Sequence, residues 1–164
     1  MSCGDILGIR KEITVDNRYI FMQQAIREAS VGIGSRHGGP FGAVVVKDGK
    51  IVGVGHNEVL KNQDPTCHGE IMAIRDACRN LGTWNLSDCE LYTTAYPCPM
   101  CAGAIQWSNI KKVYYGCDMD DTLDIGFTDD QFYDTPLRCE QVSHKACRDL
   151  FMAYLQGNPE SYQP

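Results

Sequence analysis

Cys67-His68-Gly69-Glu70 and, thirty residues after the histidine, Pro97-Cys98-Pro99-Met100-Cys101 are the stretches of this chain best equipped for chemistry. One imidazole and two thiols at this spacing form a donor set for tetrahedral Zn²⁺, with His68, Cys98 and Cys101 as ligands and the fourth position left to water. Zinc held this way lowers the pKa of a coordinated water towards neutrality, which makes hydroxide available at physiological pH. Glu70 lies two positions beyond the histidine, placed to move protons without ligating the metal, and a pKa raised towards neutrality suits that work. Cys98 and Cys101 open a predicted helix in which Pro99 takes an early position that needs no N–H donor. The positive end of that helix favours thiolates.

Two plainer readings cover parts of the pattern. A Cys-x-x-Cys pair alone also describes a thioredoxin-like redox centre, which leaves His68 and Glu70 without a role. A closed structural zinc site needs a fourth protein ligand, for which Cys67, Cys89, Cys117 and His56 are candidates. Cys67 adjoins His68, and neighbouring residues at a helix start point in different directions.

The elements that must bring these residues together follow from apolar periodicity. A helix is predicted over Asp16 to Ser30, with Asp16 as N-cap. Phe41 to Val46 and Lys50 to Gly55 read as two strands joined by an Asp48-Gly49 hairpin turn. After a polar loop from Lys61 to Pro65, His68 to Leu81 carries Ile71, Ile74, Ala77, Cys78 and Leu81 on one helical face. A strand at Glu90 to Thr94, a helix at Met100 to Ser108, a strand at Lys112 to Cys117, a short strand near Cys139 to Val142 and a helix at Ala146 to Leu155 complete the order. The alternation from residue 89 onward gives an α/β layered sheet. In such sheets sites collect beyond strand ends where helices begin, so the starts of the second and third helices should meet across one zinc. The acidic stretch from Asp118 to Thr135, with Asp120, Asp121, Asp124, Asp129, Asp130 and Asp134, reads for the most part as a solvated surface loop.

Length and composition set the frame. The 164 residues amount to one domain, 1–164, able to bury a core without disulfides. Nine cysteines, odd in number, irregularly spaced and preceded by no signal-peptide pattern, read as reduced thiols of a cytoplasmic protein. Cys78 and Cys147 read as small core residues. No run of about eighteen apolar residues is present, so no membrane-spanning helix is expected. Fifteen basic against twenty-one acidic residues give a formal charge of −6, the wrong sign for phosphate backbones, so a small molecule is preferred over nucleic acid as partner.

The His-x-Glu and Pro-Cys-x-x-Cys pattern matches that of zinc deaminases of bases. Together with Gly39-Pro40-Phe41-Gly42-Ala43-Val44, Gly55-His56-Asn57, Asp64-Pro65-Thr66, Ala73-Ile74-Arg75, Leu91-Tyr92-Thr93 and Gly103-Ala104-Ile105-Gln106-Trp107, it makes the chain resemble the cytidine-deaminase-like superfamily, and within it the small bacterial guanine deaminases. The resemblance implies a three-layer α/β/α sandwich around a central mixed sheet, one zinc per chain, and hydrolysis of a free purine base, guanine to xanthine and ammonia. Cytosine, an aminopurine nucleoside, a triazine or adenosine in a tRNA anticodon are the alternative substrates. It also implies a homodimer that exchanges C-terminal segments, residues 118–164 here. Phe41 and Trp107 would then pack against the purine, Asn57 would hydrogen-bond it, and Asp129 would reach in from the partner as a further catalytic and binding group. Tyr162 matches a C-terminal tyrosine that also reaches in. Asp129 takes the family's place when aligned without a gap from Phe127, and a shift by one residue selects Asp130. From the residues alone, Phe41 also reads as core and Asn57 as a turn former. Two positions depart from the resemblance: Gly69 stands where most relatives carry alanine, a feature resembling fungal cytosine deaminases, and Tyr96 stands where guanine and tRNA adenosine deaminases usually have glutamate.

Overall fold

A computed structural model of the chain describes residues 16–127 and 138–157. The elements in chain order are α1 (Asn17–Gly34), β1 (Gly42–Lys47), β2 (Lys50–His56), α2 (Val59–Asn62), α3 (Gly69–Leu81), β3 (Cys89–Ala95), α4 (Pro99–Trp107), β4 (Lys112–Cys117), α5 (Met119–Asp124), β5 (Glu140–Gln141) and α6 (His144–Gly157). Asp16 caps α1 as expected, its side chain accepting from the Arg18 N–H at 3.0 Å. The β1–β2 hairpin turns through Asp48 and Gly49, both at positive φ, the conformation that two-residue hairpins require.

The five strands form one sheet in the order β2-β1-β3-β4-β5. β1 runs antiparallel to β2 and β3, whereas β3, β4 and β5 run parallel. This is the mixed sheet that the resemblance implied. The central strands alternate their side chains between two apolar layers. Val44, Val46 and Tyr92 face Met22, Ala25 and Ala29 of α1 and Cys147, Phe151 and Tyr154 of α6. Ala43, Val45, Leu91 and Val113 face Ala73, Ile74 and Ala77 of α3 and Ile105 of α4. Helices thus cover both faces, and a three-layer α/β/α sandwich results. No helix of the described residues is long and apolar enough to cross a membrane.

Two stretches depart from expectation. The polar loop after β2 contains the single-turn helix α2, too short to show periodicity. The start of the acidic stretch is ordered as α5, whose first turn is closed by a capping box between Asp118 and Asp121. Asp121 is buried, accepts from His144 Nε2 at 2.5 Å and also pairs with Arg148, so it clamps α6 to α5. Asp120 and Asp124 stay exposed, as expected of a surface segment. The surface reading failed at Asp121 because His144 and Arg148, which bury it, lie more than twenty residues away, beyond the reach of local pattern.

Burial opposes the charge on Asp121, but the Asp118 N–H, His144 and Arg148 outweigh it and hold the carboxyl below its ordinary range. A carboxyl depressed by folding stabilises the fold above its unfolded pKa and loses that contribution as pH falls through its folded value. Asp121→Asn should therefore cost about 2 kcal/mol at neutral pH, and the gap to wild type should narrow as pH falls below the ordinary carboxylate range, both read from urea midpoints at unchanged m.

Candidate active site

The sequence places a metal-binding side chain at each of two helix starts. His68 is the N-cap of α3 and Cys98 the N-cap of α4, both in extended backbone. They face each other, His68 Nδ1 lying 3.5 Å from Cys98 Sγ. Cys101, one turn into α4 and fully buried, completes the group, and the three donor atoms lie within 4.8 Å of one another. α4 follows β3 directly, and Pro99 fills its first turn. The loop at the β3 end and the start of α3 are thereby held over the same edge of the sheet.

Glu70 is 5% exposed and reaches the cluster without joining it. Its Oε1 accepts from Thr93 Oγ1 at 3.1 Å and its Oε2 accepts from Cys101 Sγ at 3.4 Å. Burial raises its pKa above the usual carboxylate range, and the Cys98 thiolate adds to the rise. The S–H of Cys101 pulls the Cys98 thiol down to about 4 against the effect of burial, with His68 assisting. One sulfur is therefore already a thiolate, as metal binding requires. Two sulfurs and one imidazole nitrogen at this separation fit zinc with one coordination position free of protein.

The rival fourth ligands lie elsewhere. Cys67 Sγ accepts from Asn62 Nδ2 at 3.6 Å, Cys89 Sγ donates to Asp88 at 3.5 Å, and His56 pairs with His37 at 2.9 Å. Cys117 is buried between β4 and α6, beside Cys147, and burial raises both thiols, that of Cys147 to about 12. All eight described cysteines are free.

Asn57 and Phe41 approach the same region from the sheet's other half. The Asn57 N–H donates to Phe41 O at 2.8 Å, and its Oδ1 accepts from the Val59 N–H at 3.1 Å. Its Nδ2 is the one buried side-chain nitrogen or oxygen without a partner among the described residues. The Asx turn read from sequence is present, yet a buried donor left unpaired costs about 1–3 kcal/mol and marks a place for an acceptor. Phe41 is partly buried and meets Phe127 and Phe151 edge-on at 5.0 and 5.5 Å, so its ring belongs to the core, while its carbonyl lies against Gly69 at the start of α3.

A family described as the cytidine and deoxycytidylate deaminase zinc-binding region matches residues 16–117. The chain belongs to that family. The deaminase is 47% identical over 117 residues to a guanine deaminase of Bacillus subtilis, covering 71% of this chain and 75% of that protein. A solved structure of guanine deaminase from Bacillus subtilis aligns with a TM-score of 0.68 at 40% identity, over 87% of this chain and 96% of that one. A tRNA-specific adenosine deaminase of Aquifex aeolicus is 44% identical over 95 residues, 58% of this chain and 62% of that protein.

Other expected site residues fall outside the cluster. Trp107 ends α4 and is 84% exposed, about 13 Å along the helix from Cys98 at 1.5 Å per residue. Asp129, Asp130 and Tyr162 lie outside the described residues. Tyr96 packs edge-on against Tyr115 at 5.2 Å, and its N–H donates to Cys117 O. Gly69 has a steric reason: a Cβ there would stand 2.9 Å from Phe41 O and 3.3 Å from Gly42 Cα, so the deaminase lays the start of α3 directly on that backbone. Sequence reasoning gave no role to Thr93 and Thr94. Thr94 Oγ1 donates to Pro40 O at 3.2 Å and accepts from the Gly42 N–H at 3.1 Å, tying β3 to the Phe41 turn. Two adjacent hydroxyls in a buried strand were the available signal.

Cys98→Ser should weaken zinc by more than about 100-fold, beyond the loss typical when a residue that only supports a ligand is changed, whereas Cys67→Ser should retain it. Chelator competition on purified protein measures both.

Proposed function

We propose that this deaminase is a zinc-dependent aminohydrolase acting on a free purine base, with guanine, converted to xanthine and ammonia, as its substrate. The observation that carries the reading is Glu70: a buried carboxyl of raised pKa beside, but outside, a His/Cys/Cys cluster. The likeness to guanine deaminases over most of the chain supports the choice of base. One zinc per chain is held by His68, Cys98 and Cys101, and when bound it supplies Lewis-acid activation of water.

Glu70 takes one proton from the water that adds to the carbon bearing the exocyclic amine and passes it to the adjacent ring nitrogen, then takes the proton of the new hydroxyl and passes it to the amine. Water supplies the new carbonyl oxygen, and the C–N bond breaks to release ammonia. Thr93 holds one carboxylate oxygen of Glu70 and leaves the other facing the cluster. The unpaired Asn57 Nδ2 donates to an acceptor on the base, and Phe41 borders the base on its apolar side. Trp107 packs on the base, and its exposed indole supports a site closed against a second chain. Asp129 and Tyr162 reach in from that second copy of a cytoplasmic homodimer, in which the partner's segment 118–164 takes the place that α5, β5 and α6 hold here on the chain's own sheet. Asp129 takes part in proton transfer.

A second reading, deamination of adenosine in tRNA, is favoured by the likeness to the Aquifex aeolicus enzyme. The formal charge of −6 weighs against it, since binding an RNA backbone is dominated by basic side chains. A filter-binding titration with tRNA at low salt separates the two: weak binding with little salt dependence is expected, and tight salt-sensitive binding would favour the RNA substrate.

Zinc-loaded protein should release ammonia from guanine in a screen that includes cytosine, aminopurine nucleosides and triazines. Glu70→Gln should lower turnover by about 10³-fold or more, at the upper part of the acid–base range, while zinc content stays at wild-type level. Turnover surviving in that variant would remove the proton-transfer role.

A further inference from the structure

Next to the base-binding turn lies a group of titratable side chains that the proposed chemistry does not use. His37 Nδ1 and His56 Nε2 are 2.9 Å apart, with the rings 17° from coplanar and their centroids 5.2 Å apart. That centroid distance puts both nitrogens on the line between ring centres, so the lone pair of one faces the N–H of the other. Glu58 completes a three-donor group with them. The head-on geometry nevertheless leaves no point about 2.0–2.1 Å from both nitrogens and along both lone pairs, the requirement for a zinc-class ion. The pair holds a proton.

Its neighbours connect it to Asn57. His37 precedes Gly38, where a Cβ would stand 2.0 Å from Asn57 Oδ1. The His37 carbonyl accepts from the N–H groups of Leu60 and Lys61, and so grips the turn that follows Asn57. His56 is the residue before Asn57 and packs against Gly32 of α1. The charged groups facing the pair are Glu28 from α1, 3.6 Å from His56 Nδ1, and Glu58, 3.5 Å from His56 Nε2, itself paired with Lys61 at 3.0 Å.

We propose that His37 and His56 are positioning residues, a proton-sharing pair that fixes the Asn57 amide for the base and releases it when both rings are protonated. The inference rests on the reading of Asn57 as a base-binding residue. Glu28 and Glu58 lie on the His56 side of the contact, and a proton added to His37 Nδ1 opposite an N–H of His56 leaves two N–H groups opposed. Burial, followed by the charges of Lys61 and His56, lowers the His37 pKa. The contact is therefore present at neutral pH and lost as pH falls through that lowered value.

Two arms test this on zinc-loaded protein. In ¹⁵N NMR the pair should show scalar coupling across the His37–His56 hydrogen bond, and the Asn57 side-chain amide signal should shift when that coupling vanishes in acid. In kinetics His37→Ala should raise KM for guanine about five-fold, the equilibrium equivalent of one hydrogen bond, with kcat little changed. His37→Asn, which restores an uncharged partner, should rescue KM and flatten its rise in acid. Independent titration of the two rings, an Asn57 signal indifferent to their protonation, or an acid branch of KM in His37→Asn equal to wild type would each overturn the proposal. Loss of the coupling on binding a second zinc equivalent would overturn it in favour of a metal site. Absence of ammonia release from guanine by wild-type enzyme would instead remove the substrate assignment, and the NMR arm would still decide the pair.

Discussion

Two helices of this protein begin at residues of one metal-binding cluster. His68 and Cys98 occupy N-cap positions, where side chains ordinarily satisfy the first free N–H groups of a helix, and they are turned towards each other across the sheet edge. The arrangement aims the positive ends of α3 and α4 at one place, which favours the thiolate of Cys98 and, with it, a bound cation sharing that charge. The position of Glu70, the packing at Gly69 and the hydroxyl of Thr93 all follow from keeping those two helix starts in register.

The sheet supplies that register. β1 and β3 are antiparallel neighbours paired from Ala43–Thr93 to Lys47–Cys89, so the turn entering β1 and the loop leaving β3 emerge side by side. Thr94 bonds both the Pro40 carbonyl and the Gly42 N–H across that junction. The absence of a side chain at position 69 then lets α3 rest on the same backbone. The antiparallel hairpin and the parallel half of the sheet thus contribute one wall each, Asn57 and Phe41 from the first, Cys98 and Cys101 from the second.

Much of this was legible in the sequence, for identifiable reasons. His68, Cys98 and Cys101 stood out because metal ligation demands particular atoms at particular spacings, and the long helices and central strands because their apolar periods are strong. Periodicity did not give the order of strands, and the resemblance supplied only the mixed character of the sheet. Asp121 was misread because its burial depends on His144 and Arg148, and α2 because four residues carry no period. Asn57 showed itself as a turn former, and its unpaired Nδ2 required coordinates. Thr93 was visible only as part of a matched motif, since a hydroxyl in a strand does not announce which carboxylate it will meet.

The thiols of this molecule differ widely in reactivity, and the difference has a practical side. Burial pushes Cys89 up to about 11 and Cys139 and Cys147 up to about 12, which keeps them protonated and poorly nucleophilic. Cys98, at about 4, is the contrary case. Oxidation or alkylation of Cys98 would remove a member of the donor set. A metal ion bound there would shield that sulfur, and its removal would leave Cys98 open to modification.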